Sequence, residues 1–495
     1  MSKSVSAKLK IVGWLSVGAM AGALTTVQIQ AVARGSFAPL PMEELQQLAA
    51  VFGMIKTDYV EPVDEKQLIT EAIAGMVSSL DPHSQYYDKK SFKEFREGTS
   101  GRFVGVGIEI TMEDGLVKVV SPIEGSPAFR AGLKTGDLIT KIDDTAVKGL
   151  TINDAVKRMR GEPNTKVLLT VLRKSEDRSF AVTIVREEIK TQSVKSKLIE
   201  PGYGWIRASQ FQDRTVDDFT RHLEDLAKTR PKLKGLVLDL RGNPGGLLEA
   251  SVAMSAVFLP ANVTVVSTNG QLADSQFIYK ASPEFYAHRR NDDPVARLHK
   301  NTGGIYKTVP LVVLVNEGSA SASEIVAGAL QDHQRATLMG NQTFGKGSVQ
   351  TVRALGPDTG LKLTTARYYT PKGRSIQAKG IVPELLVDET AQGNVLAGLR
   401  TREADLQKHL SDGSAPASAP MTDAQRASEQ ARENEREQTR QRLEEEARKN
   451  PGQRLVPELG SEQDFPLQQA LNHLKGRPVI TSKTLTVRPE ESKTP

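Results

Sequence analysis

The sequence predicts a multi-domain α/β protein, and three observations carry that prediction. At 495 residues and 53.9 kDa the chain is too long for one hydrophobic core. From Thr191 to about Asp388, apolar strand-like runs alternate with helical periodicity, the pattern of an α/β layer around a largely parallel sheet. From Gly101 to about Glu187 the pattern changes to short β-rich runs broken by Gly, Pro and Asp.

Taken in order, the chain opens with Lys3, Lys8 and Lys10, then an uncharged run from Ile11 to Leu24, then Ala31-Val32-Ala33. Positive flank, apolar run and small-residue end in that order make a secretory signal peptide over 1–33. Retained uncleaved, it would anchor the chain in an inner membrane; cleaved, it would leave the chain in a periplasm. Residues 34–98 read as helical, because Leu45, Leu48, Ala49 and Phe52 fall at i, i+3, i+4 and i+7, and a second periodic stretch runs from Gln67 to Leu80. Asp81-Pro82 ends it.

Residues 99–187 form the β-rich domain, with strands over Val106–Ile110, Val117–Val120, Leu138–Ile142, Val167–Arg173 and Phe180–Arg186. Its one helix follows Thr151, a good N-cap, and lines up Ile152, Ala155, Val156 and Met159. Residues 188–390 are the α/β core, with strands at Gly204–Phe211, Gly235–Leu240 and Val309–Val315 and helices at Thr215–Ala227 and Leu247–Leu259. Residues 391–495 read as a low-complexity and charged helical extension. Met421–Asn450 carries 8 acidic and 7 basic residues, and a helix polar all round suits an assembly arm rather than chemistry.

Composition removes several function classes. Sixty-five basic against 59 acidic residues leave a net charge of +6, too small and too spread to mark a nucleic-acid surface. The absence of cysteine excludes a thiol nucleophile, Cys-ligated zinc, Fe–S clusters and disulfides.

Three Gly-rich segments could carry chemistry. Leu314–Ile325 runs from a buried strand through a turn into a helix, and its Ser319, Ser321 and Ser323 offer hydroxyls beside the unpaired N–H groups of a helix start. Ser321-x-x-Glu324 is equally a capping box, in which the serine only accepts a backbone hydrogen bond. Gly340-x4-Gly345-Lys346 resembles a phosphate-binding loop, but Gly347 stands where Ser or Thr must ligate Mg²⁺, and Ser348–Val352 is β-branched where a helix should open. What remains is a lysine between two glycines, either a surface turn residue or a desolvated general base. Asp239–Gly246 ends a buried strand in a turn whose N–H groups could cradle an oxyanion. His333 is the histidine nearest the serine cluster in sequence, and only its proximity suggests a base.

In order along the chain stand Ser79-Leu80-Asp81-Pro82-His83-Ser84, Gly105-Val106-Gly107-Ile108, Gly125-Ser126-Pro127-Ala128 and Ala131-Gly132-Leu133. Gly136-Asp137, the Arg241–Gly246 turn, the serine cluster, Phe344-Gly345-Lys346-Gly347 and Tyr369-Thr370-Pro371-Lys372-Gly373 follow. Together they resemble the carboxy-terminal processing peptidases, tail-specific serine proteases that use a Ser-Lys pair. The resemblance covers roughly Tyr59 to Glu384. It implies an α/β protease core with crotonase-like layers, an inserted PDZ domain over the β-rich segment, and helical N- and C-terminal segments. It also implies Ser321 as nucleophile, Lys346 as base, Gln350 as the residue orienting the lysine, and the N–H groups of Ala322 and of Gly245 or Gly246 as the oxyanion hole. Asp332 matches a supporting acidic position, and Gly105, Val106, Gly107 and Ile108 match the loop that holds a substrate's terminal carboxylate. The function implied is an exported serine endopeptidase acting on proteins with apolar C-terminal tails, as a homo-oligomer with an adaptor protein as a further partner, without metal, cofactor or nucleic acid. The alternative is a catalytically silent PDZ scaffold.

Overall fold

The computed structural model describes residues 41–229, 231–287, 292–411, 423–449 and 456–482, so the signal segment lies outside the described residues. Among the described residues no helix is long and apolar enough to cross a membrane. Two compact units are separated near residue 73. The first contributes the helix Met42–Asp58, as the apolar spacing predicts, with Glu43 and Glu44 in its first turn where they complement the helix dipole.

The second unit is built on a six-stranded sheet ordered β1 (Val194–Glu200), β2 (Tyr203–Ala208), β3 (Gly235–Asp239), β4 (Leu311–Val315), β5 (Thr337–Gly340) and β6 (Leu385–Leu386). β1 pairs antiparallel with β2, and every later pair is parallel. Alternate strand residues face opposite ways. Leu236, Leu238, Val313 and Val315 pack under the helices α1 (Thr215–Ala227), α2 (Leu248–Phe258) and α3 (Ala322–Asp332). Val237, Val312, Leu314 and Met339 pack with Leu467 and Ala470 of α4 (Phe465–Leu474). Cover on both faces is why β3 and β4 read as unbroken apolar runs. One of those covering helices, α4, comes from residues 391–495, beyond the α/β core. The helix Asp423–Lys449 is charged, as expected, and Arg432 on it meets Asp405 at 2.6 Å.

A second sheet holds Gln85–Tyr87, Gly360–Tyr369, Thr264–Asn269 and Phe277–Lys280, with Ser348–Ala354 paired to Gly360–Tyr369. The chain between β5 and Ser348–Ala354 crosses from one sheet to the other. The turns after β3 and β4 and this crossing all leave the carboxyl ends of parallel strands, where open α/β sheets form their crevices.

The β-rich segment folds as six antiparallel strands from Ile108 to Val185 with a short helix, Pro127–Arg130, and a longer one, Ile152–Met159, whose Thr151 cap accepts the Asp154 N–H. Arg173 closes it from inside, donating to Asp137 at 2.7 and 2.8 Å and to the Gly132 carbonyl at 2.8 Å. The first strand begins at Ile108 rather than Val106. Gly107 has φ 78°, and a Cβ there would stand 2.4 Å from Ser126 Cβ, so the backbone turns before the ladder starts.

Candidate active site

Ser321 follows β4 at the N-cap of α3 and is only 6% exposed. An ordinary N-cap lies in the β region, whereas Ser321 has φ 54° and ψ −113°, a strained conformation for a residue with a Cβ. Ser321 and Glu324 occupy the capping-box positions, with the Glu324 carboxylate accepting the Ser321 N–H. The Glu324 N–H also donates to the Ser321 carbonyl at 2.8 Å. The neighbouring hydroxyls are committed. Ser319 Oγ donates to the Leu240 carbonyl at 2.8 Å and Ser323 Oγ to the Asn243 carbonyl at 2.9 Å, so both staple the serine segment to the Gly-rich turn.

Glu324, fully buried, joins this segment to the lysine loop. Its Oε2 accepts the N–H groups of Ser321 at 2.8 Å and Lys346 at 2.9 Å, and its Oε1 accepts Thr343 Oγ1 at 2.5 Å and the Gly345 N–H at 2.7 Å. Burial pushes this carboxyl up to about 7 against four donors that favour its charged form. In the sequence alone Glu324 reads only as a capping partner.

One carboxylate oxygen shared by two N–H groups brings the backbone at Ser321 and at Lys346, 25 positions apart, together. Lys346 Nζ donates to Gln350 Oε1 at 2.5 Å and lies 3.5 Å from the Ser348 carbonyl. Burial, aided by the nearby Lys362 charge, brings the amine down to about 8, while Glu403, Glu324 and Asp81 oppose the fall. Nζ makes no hydrogen bond to Ser321 Oγ in this arrangement. Tyr368 stands beside the serine as well; burial drives its hydroxyl above the usual range, and a side-chain hydrogen bond with Ser321 works the other way.

The Gly-rich turn lies against the serine, since a Cβ on Gly245 would stand 2.8 Å from Ser321 Cβ and 2.9 Å from Ala322 N. Among the described hydrogen bonds, the N–H groups of Ala322 and Gly246 have no acceptor, whereas the Gly245 N–H is held by Asn243 Oδ1 at 2.9 Å. The turn is fixed from beneath by Arg241, which donates to Asp239 at 3.0 and 2.6 Å and to Asp464 at 2.8 and 2.7 Å. Asp464 caps α4, and nothing local in the sequence marked it.

Two residues leave the site. Asp332 ends α3, about 16 Å along the helix from Ser321, and accepts the Lys372 N–H at 2.8 Å and Arg374 at 2.5 Å, so it holds the 370–374 turn. His333 points its Nε2 at the Thr264 carbonyl, 2.7 Å away, and has no access to the serine. Among the described residues no group of three or more His, Asp or Glu side chains could hold a metal.

In the β-rich domain, Val106 and Gly107 have their carbonyls bound by Ala128 N–H at 2.9 Å and Ile123 N–H at 3.0 Å, with Ser126 Oγ also on the Gly107 carbonyl at 2.8 Å. Their own N–H groups have no acceptor among the described hydrogen bonds. Of the four apolar positions aligned on the helix, Ala155 and Met159 are in the domain core, Met159 at 4% exposure, whereas Ile152 is exposed and Val156 half-buried.

Residues 202–387 match Peptidase family S41, 104–184 match the PDZ domain, and 15–91 match the activating protease CtpB N-terminal domain. A carboxy-terminal-processing protease of Bartonella bacilliformis is 45% identical over 349 residues, which cover 70% of this chain and 76% of that protein. The chain belongs to the carboxy-terminal-processing proteases of family S41. It is a serine-type peptidase with a PDZ domain, and the silent-scaffold alternative falls away. A CtpA-like serine protease of Staphylococcus aureus strain COL is 38% identical over 345 residues, 70% of this chain and 65% of that one. Among solved structures, the photosystem II D1 C-terminal processing protease is 31% identical with a TM-score of 0.39, covering 67% of this chain and 84% of that one. The PDZ domain of a carboxy-terminal protease from Vibrio cholerae, solved with a peptide, is 31% identical with a TM-score of 0.17, covering 18% of this chain and 99% of that one.

Proposed function

We propose that this peptidase cleaves proteins near their C-terminal tails, with Ser321 as nucleophile and Lys346 as general base. The observation that carries the reading is the Glu324 carboxylate, whose one oxygen accepts from both Ser321 and Lys346 and so supports a shared site. In the reaction, the neutral Lys346 amine turns toward Ser321 and accepts the Oγ proton as Oγ bonds to the scissile carbonyl carbon. The Ala322 N–H, with that of Gly246 or of Gly245 once released by Asn243, stabilises the oxyanion. Collapse breaks the C–N bond, the lysine returns its proton to the leaving amine, and water then hydrolyses the acyl-enzyme by the same exchange. Gln350 Oε1 orients the amine without adding charge.

The free N–H groups of Val106 and Gly107, with the flanking Gly105 and Ile108, form the loop that holds a substrate's terminal carboxylate, and Ile152 and Val156 favour an apolar tail. Lys3 to Ala33 supports export to a periplasm, cleaved or held as an inner-membrane anchor. Assembly as a homo-oligomer and an adaptor partner belong to the same reading, with the charged helix Asp423–Lys449 as the assembly arm. The test is hydrolysis by three serine variants. Ser321→Ala is expected to abolish cleavage while keeping the fold. Ser319→Ala and Ser323→Ala each lose one staple to the turn, costing about 1 kcal/mol, and keep a measurable rate. Activity retained in Ser321→Ala would overturn the assignment.

A further inference from the structure

Asp81-Pro82-His83-Ser84, singled out in sequence but given no role, reaches the lysine loop by two routes. On the first, Asp81 is 4% exposed and its Oδ1 accepts the N–H groups of His83 at 2.8 Å and Ser84 at 2.9 Å, and Thr364 Oγ1 at 3.1 Å. Its Oδ2 accepts Ser84 Oγ at 2.6 Å. Thr364 Oγ1 lies 3.2 Å from Gln350 Nε2, and Gln350 Oε1 receives the lysine amine at 2.5 Å. The direction of every bond follows from the end of the chain. A carboxylate only accepts, so the Thr364 hydrogen goes to Asp81, its lone pair faces the Gln350 NH₂, and the Gln350 oxygen is left for Lys346.

The second route repeats that logic. Glu403, fully buried and drawn from beyond the core, lies 2.8 and 3.0 Å from His83 Nε2. Its Oε1 accepts Gln377 Nε2 at 2.8 Å, which leaves Gln377 Oε1 to accept the Gly347 N–H at 3.0 Å. The Glu403 N–H donates to the Phe344 carbonyl at 3.0 Å. The Gly347 N–H that follows Lys346 is therefore held by one carboxylate–glutamine relay, and the lysine amine by the other.

We propose that Asp81 and Glu403 are positioning residues for peptide hydrolysis, each fixing the amide orientation of one glutamine, Gln350 for the Lys346 amine and Gln377 for the Lys346 backbone. This rests on Lys346 acting as the base. The charges that face the amine are Asp81, Glu403 and Glu324 on one side of the balance and Lys362 on the other, with His83 facing Glu403. Hydrogen bonds from Ser84 and from the His83 and Ser84 N–H groups hold Asp81 below the usual carboxylate range despite its burial, so it is charged wherever the enzyme would work. Removing either carboxylate charge makes the ammonium less favourable, and the pH at which the amine becomes neutral falls.

The experiment measures kcat and KM from pH 5 to 10 on a quenched peptide with a free apolar C-terminus, for the parent, Asp81→Asn, Glu403→Gln, Thr364→Val, Thr364→Ser and Lys346→Ala. In Asp81→Asn and Glu403→Gln, kcat is expected to fall about tenfold or more with KM within about twofold, and the acid limb to move down by about half a pH unit or more. Thr364→Val, which cuts the first relay without removing a charge, is expected to lower kcat with the limb unmoved, and Thr364→Ser to restore it. Parent-like kcat and limb in the carboxylate variants would overturn the proposal, as would a fall in kcat with the limb unmoved, the mark of a packing role. Should those variants not fold, parent-like kcat in Thr364→Val overturns it. Activity in Lys346→Ala would instead overturn the assignment of the base.

Discussion

Asp464→Ala tests whether the C-terminal helix belongs to the catalytic core. The side chain removed is 2% exposed and does three things: it receives two guanidinium bonds from Arg241 at 2.8 and 2.7 Å, it accepts the Gly460 N–H at 2.7 Å, and it caps α4. Its loss leaves two N–H groups of a buried arginine without acceptors. Removing one partner of a buried ion pair costs about 3–5 kcal/mol, a large part of the roughly 5–15 kcal/mol that holds a domain together. Trp205 reports the event, because its Nε1 donates to Asp239 Oδ2 at 3.1 Å within the same cluster. In a Trp14→Phe background its fluorescence belongs to this site alone, the chain having two tryptophans. Urea unfolding followed by that signal is expected to show a loss of about 3–5 kcal/mol, with kcat falling as the Arg241–Gly246 turn loosens. A loss below about 1 kcal/mol, the range of exposed ion pairs, would refute the reasoning.

Two further predictions concern recognition. Amidating a substrate's C-terminus removes the charge that the Val106 and Gly107 N–H groups are free to hold, so cleavage should slow at least tenfold, while blocking the N-terminus should change little; equal rates for amidated and free peptides would contradict this. Gly107→Ala forces a Cβ to 2.4 Å from Ser126 Cβ at φ 78°, so titration of the variant with a labelled peptide should show weakened tail binding, and parent-like affinity would mean the loop is not the carboxylate site.

Much of the fold was legible because it rests on local pattern. The helix Thr215–Ala227 has the bounds its periodicity predicts, and β3 and β4 fall within their apolar runs. The strand predicted from Val106 starts two residues late because Gly107 must turn beneath Ser126, a contact made across 19 positions. The three segments that bear the site were visible as Gly-rich turns at strand ends. What fastens them was not. His83 meets Glu403 across 320 positions and Arg241 meets Asp464 across 223, pairings set by how the sheets stack rather than by any period in the sequence. Asp332, a supporting acidic position by resemblance, is carried about 16 Å from Ser321 by a helix of 11 residues.

The central claim is that a desolvated Lys346 activates Ser321, and the pH dependence of kcat/KM in the parent and in Lys346→Arg tests it most directly. An amine at about 8 is neutral in about one molecule in eleven at pH 7, against about three in ten thousand for one at its ordinary 10.5. The neutral form grows as pH rises, so kcat/KM is predicted to climb about tenfold per pH unit in acid and level off above a midpoint near 8. Lys346→Arg, which keeps the charge but cannot lose a proton, is predicted to be as inactive as Lys346→Ala. A midpoint near 10.5, or substantial activity in Lys346→Arg, would contradict the account.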